Sequence, residues 1–589
     1  MAPRRVRPRP IGPMRPPGWL VHAAGEVSGV SVALIKSGVW RSARPTQLVA
    51  IERALRHWGQ SMAALGAIAA IRFPDQPAVI DERGTISYRE LDRRCSRQAA
   101  ALRAQYGIVA GSKVAVLCRN HRGFLEATLA ASRLGADVLF VNTEFALPQL
   151  KSVLERHHPD LLIHDEEFTE AAGDLPAVIA WHDSEEPERR WAGADGPAAK
   201  TASTPPSSAS ADPRPATAGP VAHTTAKAPL TLDQLALSEA PEAPAPDRPG
   251  HITILTSGTT GAPKAAPRAP TAWGLAGLTA STLNRIGLRA GEPMVICPPL
   301  FHGLGLLNSM LALFLGSPLV LARRYDAAAV LASVDKNRAG AIVAVPVMLQ
   351  RMLDVGPAAI AEHDLRSLRA VISGASALGP ALAERFIAQF GPVLCDAYGS
   401  SEIGIATIAT SADLIAAPGT VGRPCLGSSV RILDDDDRPA KTGVTGRIFA
   451  GGGLVFGGYS DGSSKTVVDG RMSTGDLGHL DTAGRLFVDG REDDMIVSGG
   501  ENVYPVEVED CLMSHPGVVE AVVVGVPDEE FGQRLVAYVV PAGEVTEEDL
   551  LQYVRANLAR YKTPRKVVLV EDFPRNATGK ILRSKLSET

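Results

Sequence analysis

The sequence predicts an α/β protein with a large N-terminal domain of mixed and parallel sheets flanked by helices, plus a small α+β C-terminal domain. Three observations predict it. Strand-like runs alternate with helical patterns twice along the chain, the order that builds parallel sheets covered by helices. At 589 residues the chain exceeds what one hydrophobic core supports. The stretch 491–589 carries its own strand and amphipathic-helix pattern and reads as a separate unit.

Taken in order, residues 1–72 form an N-terminal extension, partly helical, with a basic start at Arg4, Arg5, Arg7, Arg9 and Arg15. Frequent prolines there forbid an amphipathic targeting helix, and composition favours a disordered tail. Contact of this tail with an anionic membrane surface is the alternative. The globular pattern of the large domain, 73–490, begins near Phe73. Ala78–Asp81 and Thr85–Ser87 read as strands around a turn at Gly84, and Ser87 with Glu90 reads as a capping box. Val114–Cys118, Phe124–Leu134 (stopped by Gly135) and Val138–Val141 make a strand, helix, strand unit. Met294–Cys297, Leu306–Leu315, Gly316 and Leu319–Ala322 repeat it. Two comparable units suggest two such layers in one domain. The run Leu306–Ala322 is the longest apolar stretch, but Asn308, Ser309, Gly316, Ser317 and Pro318 interrupt it, so it reads as buried helix, turn and strand.

Between them, residues 183–250 shift to Ala, Pro, Ser and Thr, as in TASTPPSSASADPRPA over Thr201–Ala216. The expectation is a disordered surface insertion in which only Leu230–Leu237 offers a helical turn. Asp434–Asp437 is a hairpin turn, not a metal site. In the small domain Pro505 starts a helix with Glu507, Glu509 and Asp510 in its first turns. Val519–Val526 is a β-branched strand. Thr546 caps a last helix to about Leu558, with Val545 and Leu550 as a hydrophobic staple.

Composition narrows function. Hydrophobic residues at 45% and charged ones at 21% describe an ordinary globular protein, and a net charge of -4 gives no case for a nucleic-acid partner. Six cysteines (Cys95, Cys118, Cys297, Cys395, Cys425 and Cys511) lie without metal-type spacing and read as reduced thiols. With no signal-peptide pattern, the expected location is cytoplasmic, with peripheral membrane contact left open. Oligomeric state is open too, a homodimer included.

The chemistry lies in short motifs. Thr256–Lys264, TSGTTGAPK, is a loop of hydroxyls, glycines and a lysine that can wrap a polyphosphate. It is not the Walker pattern, and alone it reads equally well as a surface turn. Asp396–Glu402, DAYGSSE, offers an aromatic face for a base and a hard oxygen for Mg2+. Ser473–Gly478, STGDLG, sets an acid among glycines, suited to a ribose diol. GREDDMIVSGGENVYPVEVE (Gly490–Glu509) and PRNATGKILR (Pro574–Arg583) follow.

Together these residues resemble the acyl- and aryl-CoA synthetase branch of the adenylate-forming (AMP-binding) superfamily, from about Phe73 to the C-terminus without the insertion. The resemblance implies a mobile C-terminal lid, and ATP, Mg2+ and coenzyme A as the cofactor set. It assigns Thr256, Ser257, Gly258, Thr259, Thr260, Gly261 and Lys264 to the ATP phosphates. Gly374, Ala375 and Ser376 would line the adenine and acyl sites. Asp396, Ala397, Gly399, Ser400 and Ser401 would complete the nucleotide site around Tyr398, which packs on adenine. Glu402, with Thr259, would ligate Mg2+. Asp476 would hold the ribose hydroxyls, and Arg491 ribose or phosphate. Asp493 takes the hinge position, Ser498, Gly499 and Gly500 the coenzyme A tunnel, and Lys580 the adenylation position. His302, in PPLFHGLG, matches the gate beside the acyl pocket and joins Lys580 and Glu402 as the catalytic set. Three positions depart from the family pattern: Ser401 for threonine, Gly446-Arg447-Ile448 without the usual acid, and Tyr459-Ser460 without the second aromatic.

The expected reaction joins a small carboxylic acid to coenzyme A through an acyl-adenylate. The closest resemblance is to actinobacterial medium- and long-chain fatty-acyl-CoA synthetases, so a fatty acid is the expected substrate. An aryl-CoA ligase, a fatty-acyl-AMP ligase loading a carrier protein, and a non-catalytic nucleotide-binding homologue are the alternatives.

Overall fold

The computed structural model describes residues 44–182, 229–256, 264–267, 272–400, 403–452, 465–492, 494–498, 501–528, 532–576 and 579–586. Its strands form sheets of 14, 7 and 5 members. In the seven-stranded sheet Leu230–Thr231, Ala177–Trp181, Leu161–Asp165, Lys113–Leu117, Asp137–Phe140 and Ile252–Thr256 run parallel in that order. Lys264–Pro267 closes the edge antiparallel. The fourteen-stranded sheet has a parallel centre, in which Met294–Ile296, Ala341–Val343, Ala370–Gly374 and Leu394–Ser400 lie side by side. Past Leu394–Ser400 it turns antiparallel through Gly404–Ala409, Thr420–Pro424, Leu486–Arg491 and Arg471–Leu480. One continuous core runs between the two sheets, from Val114 and Phe124 to Met294, Ile296 and Ile372.

The two strand, helix, strand units are both present. Lys113–Leu117 leads into the helix Arg122–Arg133, and Met294–Ile296 into Gly303–Leu315. Gly316, at φ 63, ends the second helix in the left-handed conformation that costs glycine least. No helix among the described residues is long and apolar enough to cross a membrane. Asp434–Asp437 does form a turn, with Asp434 N donating to Arg438 O and Asp437 at φ 60. Arg447, where the family pattern has an acid, pairs with Asp437 at 2.7 Å.

Three expectations need correction. The compact structure starts before Phe73: the helix Met62–Arg72 buries Met62, Ala63, Ala64, Gly66, Ala67 and Ala69, because alanine and glycine let it pack closely against its neighbours. The insertion does not extend to residue 250 as a disordered segment. Thr231 caps the helix Leu232–Ala236, Leu232 and Leu235 are buried, and Asp233 reaches buried Arg94 at 2.5 Å. Arg94 also pairs with Glu126 at 2.7 Å, so this segment completes a buried ion cluster that composition alone hides. Residues 183–228 lie outside the described residues. Finally, only half of the capping box at Ser87 forms. Ser87 Oγ accepts from Glu90 N at 3.2 Å, but the Glu90 carboxylate pairs with Arg93.

The small unit places Ile496–Ser498, Glu501–Val503, Val518–Asp528, Gly532–Pro541 and Lys566–Leu569 in one sheet. The helices Pro505–Met513 and Glu547–Asn557 cover it, with Pro505 at the first position and Thr546 in a reciprocal capping box with Asp549. Its contacts with the large domain among the described residues include Tyr504 against Gly490, and two more at glycines. A side chain at Gly379 would stand 3.3 Å from Met513 Cε and 3.6 Å from Asp510 Oδ1. One at Gly579 would stand 2.6 Å from Val347 Cγ1.

Candidate active site

The site lies where the parallel centre of the large sheet gives way to antiparallel strands. Adjacent strands Ala370–Gly374 and Leu394–Ser400 set Gly374 opposite Ala397. A Cβ on Gly374 would fall 2.7 Å from the Ala397 carbonyl and 3.6 Å from Leu304, so only glycine keeps strand and helix this close. Ala375 follows at φ 69, a strained value for a residue with a side chain, while Ser376 is half-buried. Gly399 admits the turn to Gly404, whose carbonyl would lie 1.9 Å from a Cβ there.

Tyr398 points across the sheet and its hydroxyl donates to Asp476 Oδ2 at 2.5 Å. Burial first, and then the Asp476 charge, push the Tyr398 phenol well above its ordinary pKa. Asp476 pairs in register with Arg491, whose guanidinium is 3.8 Å from Oδ1. Asp396 is buried in the strand of Tyr398, with Oδ1 lacking a hydrogen-bond partner among the described residues. Burial pushes its carboxyl up to about 7, opposed by the neighbouring Ser373 hydroxyl.

Lys580 arrives from the small domain. Its surface is exposed, yet surrounding protein lowers its pKa. Arg491 and Arg583 add to the lowering, and Asp494 and Asp476 oppose it. The hairpin that carries it is tied by Lys580 N to Asn576 Oδ1 at 2.9 Å and by Gly579 N to Asn576 O at 2.8 Å. On the other flank His302 holds the N-cap position of the helix Gly303–Leu315 without a side-chain cap, and its Nε2 is buried without a partner among the described residues. Burial pushes this imidazole down to about 4, so it is neutral at pH 7. The thiols nearest in sequence to these groups, Cys297 and Cys395, are both pushed up to about 12 by burial.

The structure therefore brings together Asp396, Ala397, Tyr398, Asp476, Arg491 and Lys580, with Gly374 bridging towards the His302 helix. The phosphate-loop assignments are met only at their ends. Thr256 and Lys264 pair antiparallel, closing a hairpin around Ser257, Gly258, Thr259, Thr260 and Gly261, which lie outside the described residues. Ser400 pairs with Gly404, and Ser401 and Glu402 also lie outside the described residues. Asp493, Gly499, Gly500 and the Tyr459-Ser460 pair lie outside as well, whereas Ser498 ends a strand paired with Glu501. Sequence reasoning missed Lys465, whose ammonium holds the Thr474 carbonyl at 2.9 Å just before Asp476. It also missed Asn120, and no local pattern marks either residue. The Arg491 and Lys580 cations near Asp476 fit an anionic nucleotide, and the buried His302 Nε2 fits a polar group of an acid.

Two stacked α/β sheets and a small lid bearing a lysine towards an Asp/Arg pair are the architecture of an adenylate-forming enzyme. The chain belongs to the AMP-binding enzyme family: that family's model matches residues 67–460, and its C-terminal domain model matches 507–580. It is an AMP-forming acid–thiol ligase that works with ATP, Mg2+ and coenzyme A. It is similar to a 2-succinylbenzoate–CoA ligase of Bacillus cereus, 31% identical over 520 residues that cover 87% of this chain and 96% of the relative. Similarity to an indoleacetate–CoA ligase of Aromatoleum aromaticum is 32% identity, covering 87% and 93%. The structure of an o-succinylbenzoate CoA synthetase from Bacillus subtilis, in complex with its acyl-adenylate, superposes with a TM-score of 0.72 at 26% identity, covering 89% of this chain and 98% of that one. These relatives act on aromatic acids. They do not bear out the expected closeness to actinobacterial fatty-acyl-CoA synthetases.

Proposed function

We propose that this chain activates an aromatic or aryl-alkanoic carboxylic acid as its acyl-adenylate and transfers the acyl group to coenzyme A. The observation that carries the reading is the convergence of Lys580 on Asp476 and Arg491 across the domain boundary. Similarity to ligases of 2-succinylbenzoate and indoleacetate favours the aromatic class over fatty acids.

In the first step a substrate carboxylate oxygen bonds to the α-phosphorus of ATP as the bond to pyrophosphate breaks. Lys580 places a cation where negative charge gathers on the phosphate oxygens. Asp476 and Arg491 hold the ribose end, and Tyr398 braces Asp476 through its hydroxyl. Glu402 and Thr259 would hold Mg2+, which neutralises phosphate charge when bound. His302, neutral and half-buried with its Nε2 enclosed, offers that nitrogen to the acid. In the second step the coenzyme A thiol attacks the acyl carbon and AMP leaves. Rotation about Asp493 withdraws Lys580 and brings Ser498, Gly499 and Gly500 to the thiol path.

Acid-dependent exchange of pyrophosphate into ATP, followed by coenzyme A-dependent AMP release, tests this across benzoates, aryl-alkanoates and fatty acids. Highest kcat/KM for an aromatic acid is expected. Preference for a long aliphatic chain would overturn the substrate class, and absence of exchange with every acid would overturn the reaction.

A further inference from the structure

The loop Cys297–Phe301, reading CPPLF, cannot hold itself in place. Pro298 and Pro299 have no N–H to give, so Leu300 carries the one amide donor between Cys297 and Phe301. That donor leaves the loop altogether, going to Asn120 Oδ1 at 2.8 Å. Asn120 Nδ2 returns a hydrogen bond to the Pro298 carbonyl at 2.9 Å, and stands 3.4 Å from that of Cys297. A single buried amide therefore satisfies both an N–H and a C=O that the prolines would strand.

Asn120 does not belong to the loop's own sheet. It follows the Lys113–Leu117 strand of the seven-stranded sheet, whereas Cys297 follows Met294–Ile296 of the fourteen-stranded one. Its position is fixed from behind by Asp165. The carboxylate accepts Arg119 N at 3.0 Å through Oδ2, and lies 2.7 Å from His121 Nε2 through Oδ1. His121 Nδ1 accepts Gly123 N at 3.0 Å, which puts the ring proton on Nε2, facing Asp165. Cys118, His121 and Asp165 bring ligand-type atoms within 4.8 Å of one another. Both imidazole nitrogens are already engaged, so the group acts as a brace.

Forward of the loop the chain enters the His302 helix directly. His302 N donates to Pro299 O at 3.1 Å, and Gly305 lies so near that a Cβ on it would be 2.4 Å from the same oxygen. A shift of the prolines therefore moves His302, because a close-packed contact transmits it undamped.

We propose that Asn120 is a positioning residue for the acid-binding half of the site: its side-chain amide, mounted on one sheet, sets the loop that aims His302 from the other. The inference rests on the reading that His302 borders the acid. Asn120→Ala and Asn120→Asp test it, each alone and combined with His302→Ala. The aspartate keeps the acceptor for Leu300 N and the side-chain shape, and sets a carboxylate oxygen against Pro298 O in place of the donor. Both variants should raise KM for the acid about tenfold while KM for ATP stays within about twofold. In the His302→Ala background either should add less than about twofold, since coupled residues do not act additively. The imidazole of His302, followed by NMR, should titrate well below 6.5 in the wild type and move towards 6.5 in Asn120→Ala as water enters. Equal rises in both KM values, full additivity with His302→Ala, or an unmoved His302 titration would each overturn the proposal. If the wild type activates no acid, the functional reading fails, while the titration still decides whether Asn120 sets His302.

Discussion

The two halves of the site are built on opposite plans. On the acid side, His302 stands on a loop with no hydrogen-bonding freedom of its own, pinned by a buried neutral amide within the large domain. On the nucleotide side, Tyr398, Asp476 and Arg491 are partly open to solvent, and the cation that completes them arrives on a separate domain. Rigidity suits the acid, whose shape has to be read, and burial there strips His302 of charge. Under the proposed mechanism the lysine serves one step and withdraws for the next, which suits its place on the small domain, whereas the geometry that reads the acid sits in the core.

The contrast breaks most sharply at Lys580. Lys580→Ala should cut pyrophosphate exchange by about 10²–10³-fold, the usual cost of losing a group that meets developing charge. Thioester formation from supplied acyl-AMP should stay within a few-fold. Equal loss in both half-reactions would show that the cation serves the whole cycle.

Asp493→Pro should give the reverse profile. A proline there fixes φ and removes a donor at the turning point, so transfer to coenzyme A should slow about a hundredfold with adenylation retained. Stopped-flow measurement of each half-reaction reads this directly, and transfer at the wild-type rate would remove rotation at this residue from the mechanism.

Gly579→Ala should act more mildly on the same docking. Its φ of 75 disfavours a side chain, and the new methyl would meet Val347 Cγ1 at 2.6 Å. Adenylation should fall about tenfold, a cost of 1–2 kcal/mol for the backbone and contact together. Val347→Ala in the same chain should recover part of it. No recovery would place the effect in the hairpin and not in the domain contact.

The smallest effect concerns the acid side. His302 in the folded protein is pushed down to about 4, below its unfolded value of 6.5, so the unfolded chain binds the proton first. Stability from this group is complete above pH 6.5 and is lost as pH falls towards 4. Between pH 7.5 and 5 the loss should be about 2 kcal/mol in denaturant unfolding, and His302→Asn should lack it. Identical acid limbs in both proteins would mean that His302 is wetter than its surroundings indicate.

The proximity of Asp396, Tyr398 and Asp476 was legible because their motifs are contiguous and local: Tyr398 and Asp396 share one strand, and Asp476 lies in the strand Arg471–Leu480, reached by the Tyr398 hydroxyl. On the flank assigned to the acid, the motifs singled out only His302. Asn120 lies 178 positions from the carbonyl it holds, and periodicity carries no information over such a separation. Lys465 was invisible for a different reason, since a lysine outside any motif reads as a solvated one. Composition foresaw the helical turn within Leu230–Leu237, found as Leu232–Ala236, but not that the segment packs onto the large domain. Four apolar or capping residues, Thr231, Leu232, Gln234 and Leu235, were enough to fold the segment onto the Arg94 cluster. The substrate class was beyond the motifs altogether, which describe the nucleotide and not the acid.

The thiols near this site take on meaning once the intermediate is considered. An acyl-adenylate is a mixed anhydride, and any thiolate within reach would capture it and end as a dead, self-acylated enzyme. Cys297 lies five positions before His302, and Cys395 immediately precedes Asp396. Burial holds both thiols up to about 12, so at pH 7 only about one in 10⁵ is a nucleophile at any moment. The apolar packing that makes the sheets thus also preserves the intermediate for the one thiol that is meant to receive it.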